Sequence, residues 1–331
     1  MSGRFIISLD FELMWGMRDS QRSGDYRPNI VGAHQAIPCL LQLFERYKIA
    51  ATWATVGLLL AQNKTEMQAA IASASEATEG QDPHHHALVS YVARQVGDDA
   101  RNDPLHFGGD LVQQIISVER QELASHTLSH YCCLEPGASA AGFVGDMTAA
   151  ITLFAQRNLN ARSLVFARNQ LAEEHLAALP ALGIYNFRGN PSHPLYRERP
   201  SGTLNRGIRA LRLADSLLPL TGPADANDEP AATPLNLPGS RFLRPWSPSW
   251  AAIYPLHLRR IRREMTAAAR QNSDYHLWWH PHNFGLHRQR QLHNLEQLLQ
   301  HQRSLSEHYG WHSANMQECG EAVQQPAVSP G

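Results

Sequence analysis

The sequence predicts an α/β fold with a mostly parallel sheet, and three observations predict it. Apolar runs of strand length recur along the chain, stretches of helical period separate successive runs, and 331 residues are enough for one barrel-sized domain. Residues 5–9 form the first run, suited to a buried strand, and a polar loop containing Pro28-Asn29 leads to a helical pattern over 34–47. A second strand is expected over 50–56. From 61 to 110 the periodicity is weak and polar, which suggests a loop insertion near one end of the sheet. Within it, His84-His85-His86 follows Pro83 and is expected to be a solvent-exposed loop.

Residues 122–125 supply the next strand, and 126–131 its exit loop. A helix over 142–157 is followed by a strand at 163–166 that ends in Ala167-Arg168-Asn169-Gln170, then a helix at 173–182 and a strand at 184–187. Residues 221–238, rich in Pro, Ala, Asp and Asn, are expected to be a long loop. A basic helix carries Leu258, Ile261 and Met265 on one face, with Arg259, Arg260, Arg262 and Arg263 as its solvated side, the alternative use of these arginines being to hold a phosphate group. The strand at 275–279 delivers His280-Pro281-His282, a long helix spans 289–308, and residues 319–331 are expected to be a disordered tail. These elements are expected to make one domain over 1–318.

Lys and Arg total 29 against 30 Asp and Glu, a net charge of -1, so no global field attracts nucleic acid or an anionic membrane. No run approaches the ~20 apolar residues of a membrane span. The N-terminal residues enter a strand pattern without the features of a secretory signal, which leads to the expectation of a cytoplasmic protein. The four cysteines show no C-x-x-C spacing and support neither a disulfide framework nor a cysteine-based zinc site.

The chemistry-bearing residues lie at strand ends. His126 and His130, four apart, can grip one metal ion, although H-x-x-x-H spacings arise by chance in a chain with 18 histidines. Asp10 and Glu12 lie two apart at the end of the first strand, so both project to one face while Phe11 points away. Two neutral nitrogens, one carboxylate ligand and one free carboxylate base suit a zinc-type hydrolytic centre with a position open to water.

These segments resemble the polysaccharide deacetylase family, also called carbohydrate esterase family 4 or the NodB-homology domain. The likeness runs in motif order from Asp10 to His280. It implies a distorted (β/α)7 barrel and a divalent metal, most often zinc. Ser8-Leu9-Asp10-Phe11-Glu12 resembles the first motif, with Asp10 as general base and Glu12 as metal ligand; the family's adjacent acids are here two apart. His126-Thr127-Leu128-Ser129-His130 resembles the second motif, whose histidines bind the metal. Arg168 stands where the third motif places an arginine that pairs with the catalytic acid, though the proline and aromatic residue that usually follow are absent. Asp215 is the candidate for the aspartate that orients the catalytic histidine, with a helix or turn cap as the alternative. His280, in Leu277-Trp278-Trp279-His280, resembles the histidine that protonates the leaving group, while His282 either lines the pocket or is structural. Trp246 and Trp250 either stack on a sugar or pack in the core.

The resemblance implies hydrolytic removal of an acetyl or formyl group from an acylated sugar or sugar-linked small molecule, in surface-polysaccharide or lipopolysaccharide biosynthesis. Two rivals stay open: a hydrolase of a cyclic amide or ureide on the same barrel, and a catalytically silent sugar-binding domain.

Overall fold

The computed structural model describes residues 3–18, 25–203, 205–222 and 233–324. Its strands are β1 (Phe5–Phe11), β2 (Ala51–Thr55), β3 (Gln121–Ser125), β4 (Ser163–Val165), β5 (Asn186–Arg188), β6 (Leu235–Asn236), β7 (Arg241–Phe242), β8 (Tyr275–Trp279) and β9 (Ser313–Ala314). They pair in parallel in the order β6-β5-β4-β3-β2-β1-β8-β7, with β9 also on β1. The helices are α1 (Arg27–Tyr47), α2 (Lys64–Glu76), α3 (Pro83–Gln95), α4 (Gly109–Ile116), α5 (Ala140–Gln156), α6 (Glu173–Leu176), α7 (Arg206–Asp215), α8 (Tyr254–Gln271), α9 (Arg288–Tyr309) and α10 (Met316–Gln324).

The sheet curls into a barrel, and the place of its distortion is specific. Leu237 N and Gly239 N donate to Phe187 O and Gly189 O, whereas Ser240 N and Leu243 N donate to His276 O and Trp278 O. One stretch of chain, β6 running into β7, therefore leaves β5 and joins β8. Counted as one stave beside β1 to β5 and β8, it makes the ring seven-membered, which is the expected distorted (β/α)7 architecture.

Alternation along β1 sets the two faces. Phe5, Ile7, Leu9 and Phe11 belong to the large core that also takes in Ile37, Leu40 and Phe44 of α1 and Leu295 and Leu298 of α9. Ile6, Ser8, Asp10 and Glu12 fall on the other face, which lines the barrel. At its lower end Ile6 packs with Ala54, Val165, Leu237, Ala314, Met316 and Cys319. Helix α10 thus closes the end at which β1 begins, so the expectation of a disordered tail from residue 319 is corrected up to Gln324. A nine-residue helix is too short for its period to stand out, and what holds it is burial, with Cys319 fully enclosed. Residues 325–331 of that expected tail lie outside the described residues, as do 223–232 of the loop expected over 221–238.

The stretch 61–110 is also more regular than its pattern suggested. Asn63 caps α2 by accepting from Glu66 N, Asp82 caps α3 by accepting from His84 N, and Pro83 sits in the first turn. Each helix buries only a narrow stripe, Met67, Ile71 and Ala74 in α2 and His85, Leu88 and Val92 in α3, so hydropathy alone conceals both. His84-His85-His86 therefore begins a helix and is not an exposed loop. His85 is buried with its Nε2 3.3 Å from Asp146 Oδ2, and His84 Nε2 lies 2.7 Å from Ser129 Oγ. Arg260 of the basic helix is buried too, its guanidinium 2.8 Å from Glu264, so that face is only partly solvated. The four cysteines are free thiols. Among the described residues no helix is long and apolar enough to cross a membrane.

Candidate metal centre and active site

The site lies at the end of the barrel opposite α10, where β1, β3, β5 and β8 deliver their last residues. Asp10 and Glu12, each 4% exposed, point inward from the end of β1. Glu12 is covered by the turn that follows: a Cβ on Gly16 would run into the Glu12 carboxylate, so a larger residue there would displace that carboxylate from the histidines.

After β3 the chain turns sharply, with Thr127 at φ 65° and His130 at φ 59°. Left-handed backbone at a β-branched residue is costly, and the surroundings hold it in place. Ser125 Oγ accepts from Thr127 N (3.1 Å), Thr127 Oγ1 accepts from Tyr131 N (2.7 Å), and Asp146 Oδ1 on α5 accepts from Leu128 N (2.7 Å). The turn brings His126 and His130 to one carboxylate oxygen: their Nε2 atoms lie 3.4 and 3.2 Å from Glu12 Oε2.

These donors fit a divalent metal. His126 Nδ1 lies 2.7 Å from Val165 O, which makes Nδ1 the protonated nitrogen and leaves the Nε2 lone pair facing Glu12. Among the described residues that buried Nε2 has no hydrogen-bond partner, an orphaned polar atom that a metal would satisfy. Burial drives the His130 pKa down, against the pull of Glu12, and so favours the neutral, ligating imidazole. Burial alone would raise the Glu12 pKa, but His280, His126 and His130 hold it well below the usual carboxylate range. The ligating atoms of this trio lie within 4.8 Å of one another; Glu12, His280 and His282 meet the same limit as a second, more open trio.

Asp10 is held by Arg188, not by Arg168. Arg188 Nη1 and Nη2 donate to Asp10 Oδ1 and Oδ2 at 2.6 and 2.8 Å, a bidentate pair, and also to Ser8 Oγ and Asn169 Oδ1. Its guanidinium lies 4.3 Å from the centre of the Trp278 ring. Burial would raise the Asp10 pKa, and Arg188 outweighs it, with help from His280 and His126, so the carboxylate stays ionised. Arg168 is exposed and donates to Ser201 Oγ, which corrects its assignment as the partner of the acid. Sequence reasoning misses Arg188, which ends β5 just past the apolar run that closes at Phe187. The available signal was an arginine followed by glycine at a strand's carboxyl end. Asp146 gave no sequence signal, since one acid in a helical pattern normally faces solvent.

His280 leaves β8 with Nε2 3.7 Å from Asp10 Oδ2 and 3.5 Å from Glu12 Oε1. At 23% exposure its side chain is the most accessible of the group, which places it toward an entering substrate. His282 is buried and stacks on His280 at a centroid separation of 4.9 Å. Asp215 does not reach His280. It is fully buried beneath Tyr196 and Arg241, accepting from both and from Thr221, so its role is in the packing of α7. Trp246 packs partly buried against the core and His287, and Trp250 faces Arg244; beside His282, the rings against His280 are instead Phe242 and Trp278.

No protein-family model matches the sequence, and no curated protein matches it. Solved structures do share its fold. A protein described as a polysaccharide deacetylase from Mycobacterium smegmatis superposes with a TM-score of 0.59 at 12% identity, over 100% of this chain and 95% of that one. Another from Pseudomonas aeruginosa PAO1 gives 0.57 at 10% identity, over 99% and 92%. The PuuE allantoinase gives 0.55 at 9% identity, over 99% and 91%. The chain has the polysaccharide-deacetylase, NodB-type fold along its whole length.

Proposed function

We propose that the protein is a metal-dependent deacylase that removes an acetyl or formyl group from an amino sugar. The observation that carries this is the buried trio of Glu12, His126 and His130, with its orphaned imidazole nitrogen, set beside an acid that Arg188 keeps ionised. Two imidazoles and a carboxylate suit zinc. When bound, such an ion supplies Lewis acidity, polarising the acyl carbonyl and lowering the pKa of water.

The protein's own groups do the rest. Asp10 takes the proton of the attacking water, and the bidentate clamp of Arg188 orients its carboxylate for this. His280, the accessible member of the group, delivers a proton to the departing nitrogen. Trp278 and Phe242 flank His280 and give a sugar ring two aromatic faces. The substrate class that the motif resemblance implies is an intermediate of surface-polysaccharide or lipopolysaccharide assembly.

A second reading, hydrolysis of a cyclic amide or ureide, draws on the fold shared with the allantoinase. The same acid, base and trio would serve it. A cleft of about 330 Å³ that shares Phe242 and Trp278 with the surroundings of His280 favours the sugar. Mass-spectrometric detection of acetate, formate or opened ureide, with protein stripped of metal and then reloaded with zinc, decides between them. Acyl release should require the metal and disappear in His126→Ala and His130→Ala; turnover persisting in either variant after stripping would overturn the reading.

A further inference from the structure

A second recognition feature adjoins the candidate site. Between the loop after β5, α7 and the chain leaving β7 lies a cleft of about 330 Å³. Its walls include Arg197, Arg199, Arg212 and Arg244, together with Phe242 and Trp278. The last two connect it to the reacting groups, since Phe242 lies against His280 and Trp278 against Arg188. Among the described lining residues the only acid is Glu198, and it already accepts from Asn190.

The charge of this cleft is not balanced from within. Arg241, which also lines it, is neutralised by Asp215 and Glu264 at 2.5 and 2.6 Å. Among the described residues Arg197, Arg199, Arg212 and Arg244 form no such ion pair. Among the described residues the Nε atoms of Arg199 and Arg244 are buried without a hydrogen-bond partner, two guanidinium donors left unsatisfied there. Burial, with neighbouring arginines adding to it, pushes the pKa values of Arg212 and Arg244 below the ordinary arginine value. An anion in the cleft would relieve both effects.

Resting on the deacylase reading, we infer that this cleft binds a phosphate or diphosphate group carried by the acylated sugar. Four guanidinium groups present more charge and more donors than a single carboxylate can use, whereas a phosphate has several acceptor oxygens and up to two charges and a diphosphate has more. The aromatic pair then holds the sugar between the anion and His280. Such a substrate is either a soluble nucleoside-diphosphate sugar or a sugar on a polyprenyl phosphate, two sources of the same chemistry.

The test is calorimetry on the zinc-loaded protein with N-acetylglucosamine, its 1-phosphate, its uridine-diphosphate form and glucuronate. The phosphorylated sugars should bind at least about tenfold tighter than the neutral one, and less tightly as salt rises. Arg199→Gln and Arg244→Gln should each cost about tenfold or more, with partial recovery in Arg199→Lys. Arg259→Gln, which removes the same charge from an exposed position outside the cleft, should cost nothing. Equal binding of neutral and phosphorylated sugars, glucuronate binding as tightly as phosphate, or equal losses in the Arg259 variant would each overturn the inference. Acyl release from uridine-diphosphate sugar and from polyprenyl-phosphate sugar in detergent micelles then separates the two sources. Phosphate-dependent binding without release of any acyl group would leave the cleft standing and remove the deacylase reading. Acyl release with no preference for phosphorylated sugars would do the reverse.

Discussion

Strands β1 to β3 run five to seven residues and are buried along their whole length, whereas β4 to β7 run only two or three. The first side is backed by an apolar layer of Phe11, Phe44 and Trp53. The second adds to its apolar packing of Leu164, Phe166 and Phe187 a network of buried ion pairs, Asp215 with Arg241, Arg241 with Glu264, and Glu264 with Arg260. Metal ligation needs several side chains to converge closely, and long, densely packed strands restrict motion enough to provide that. Buried ion pairs contribute little net stability after desolvation, but they fix the directions of charged groups, which suits the wall of a cleft that reads charge. The metal trio belongs to the first side and the arginine cleft to the second, with β8 between them.

His280, on the dividing strand, gives the largest expected effect in testing this division. His280→Asn should lower kcat by about 10²–10⁴-fold, the usual range for a lost general acid, while zinc content stays at the wild-type level. If zinc is lost instead, the more open trio of Glu12, His280 and His282 is the ligand set, and the packed side no longer holds the metal alone.

Arg188 reaches across the division, from β5 to Asp10 on β1. Arg188→Gln should lower kcat/KM at neutral pH by about tenfold or more. The sign of its pH effect follows from Asp10. Burial raises that pKa and Arg188 lowers it, so losing Arg188 raises it and moves the acid limb of the pH–rate profile to higher pH. An acid limb that stays in place would show that Asp10 is not the base that Arg188 controls.

Asp215→Asn confines the damage to the polar side. Removing one charge from a buried network should cost about 3 kcal/mol in denaturant unfolding, with zinc content unaltered. Loss of metal in this variant would mean that the two sides are mechanically coupled.

The pattern of the chain was enough to predict β1 and β8, because each holds a strand-length apolar run that stops at a polar residue, whereas β3, Gln121–Ser125, carries only Leu123 and Ala124 as its apolar signal. The two-residue period explains why Asp10 and Glu12 were legible as one site. Short elements were not: β6 and β7 have two residues each, and α2 and α3 show too narrow an apolar stripe. The Arg168 assignment followed the order of motifs along the chain. The real partner of Asp10 comes from the next strand, and sequence order does not reveal which of two inward-facing staves reaches the opposite wall.

By itself the sequence determined the alternating α/β plan, the inward placement of the acid pair and the strand-exit position of His126, His130 and His280, since these depend on local period and on where apolar runs end. Only the tertiary structure decided that Arg188 clamps Asp10, that Asp146 ties the histidine turn, that Asp215 is structural and that arginines without an ion pair among the described residues gather beside the site. Those relations join residues from different staves and helices, and closure of the barrel brings them together.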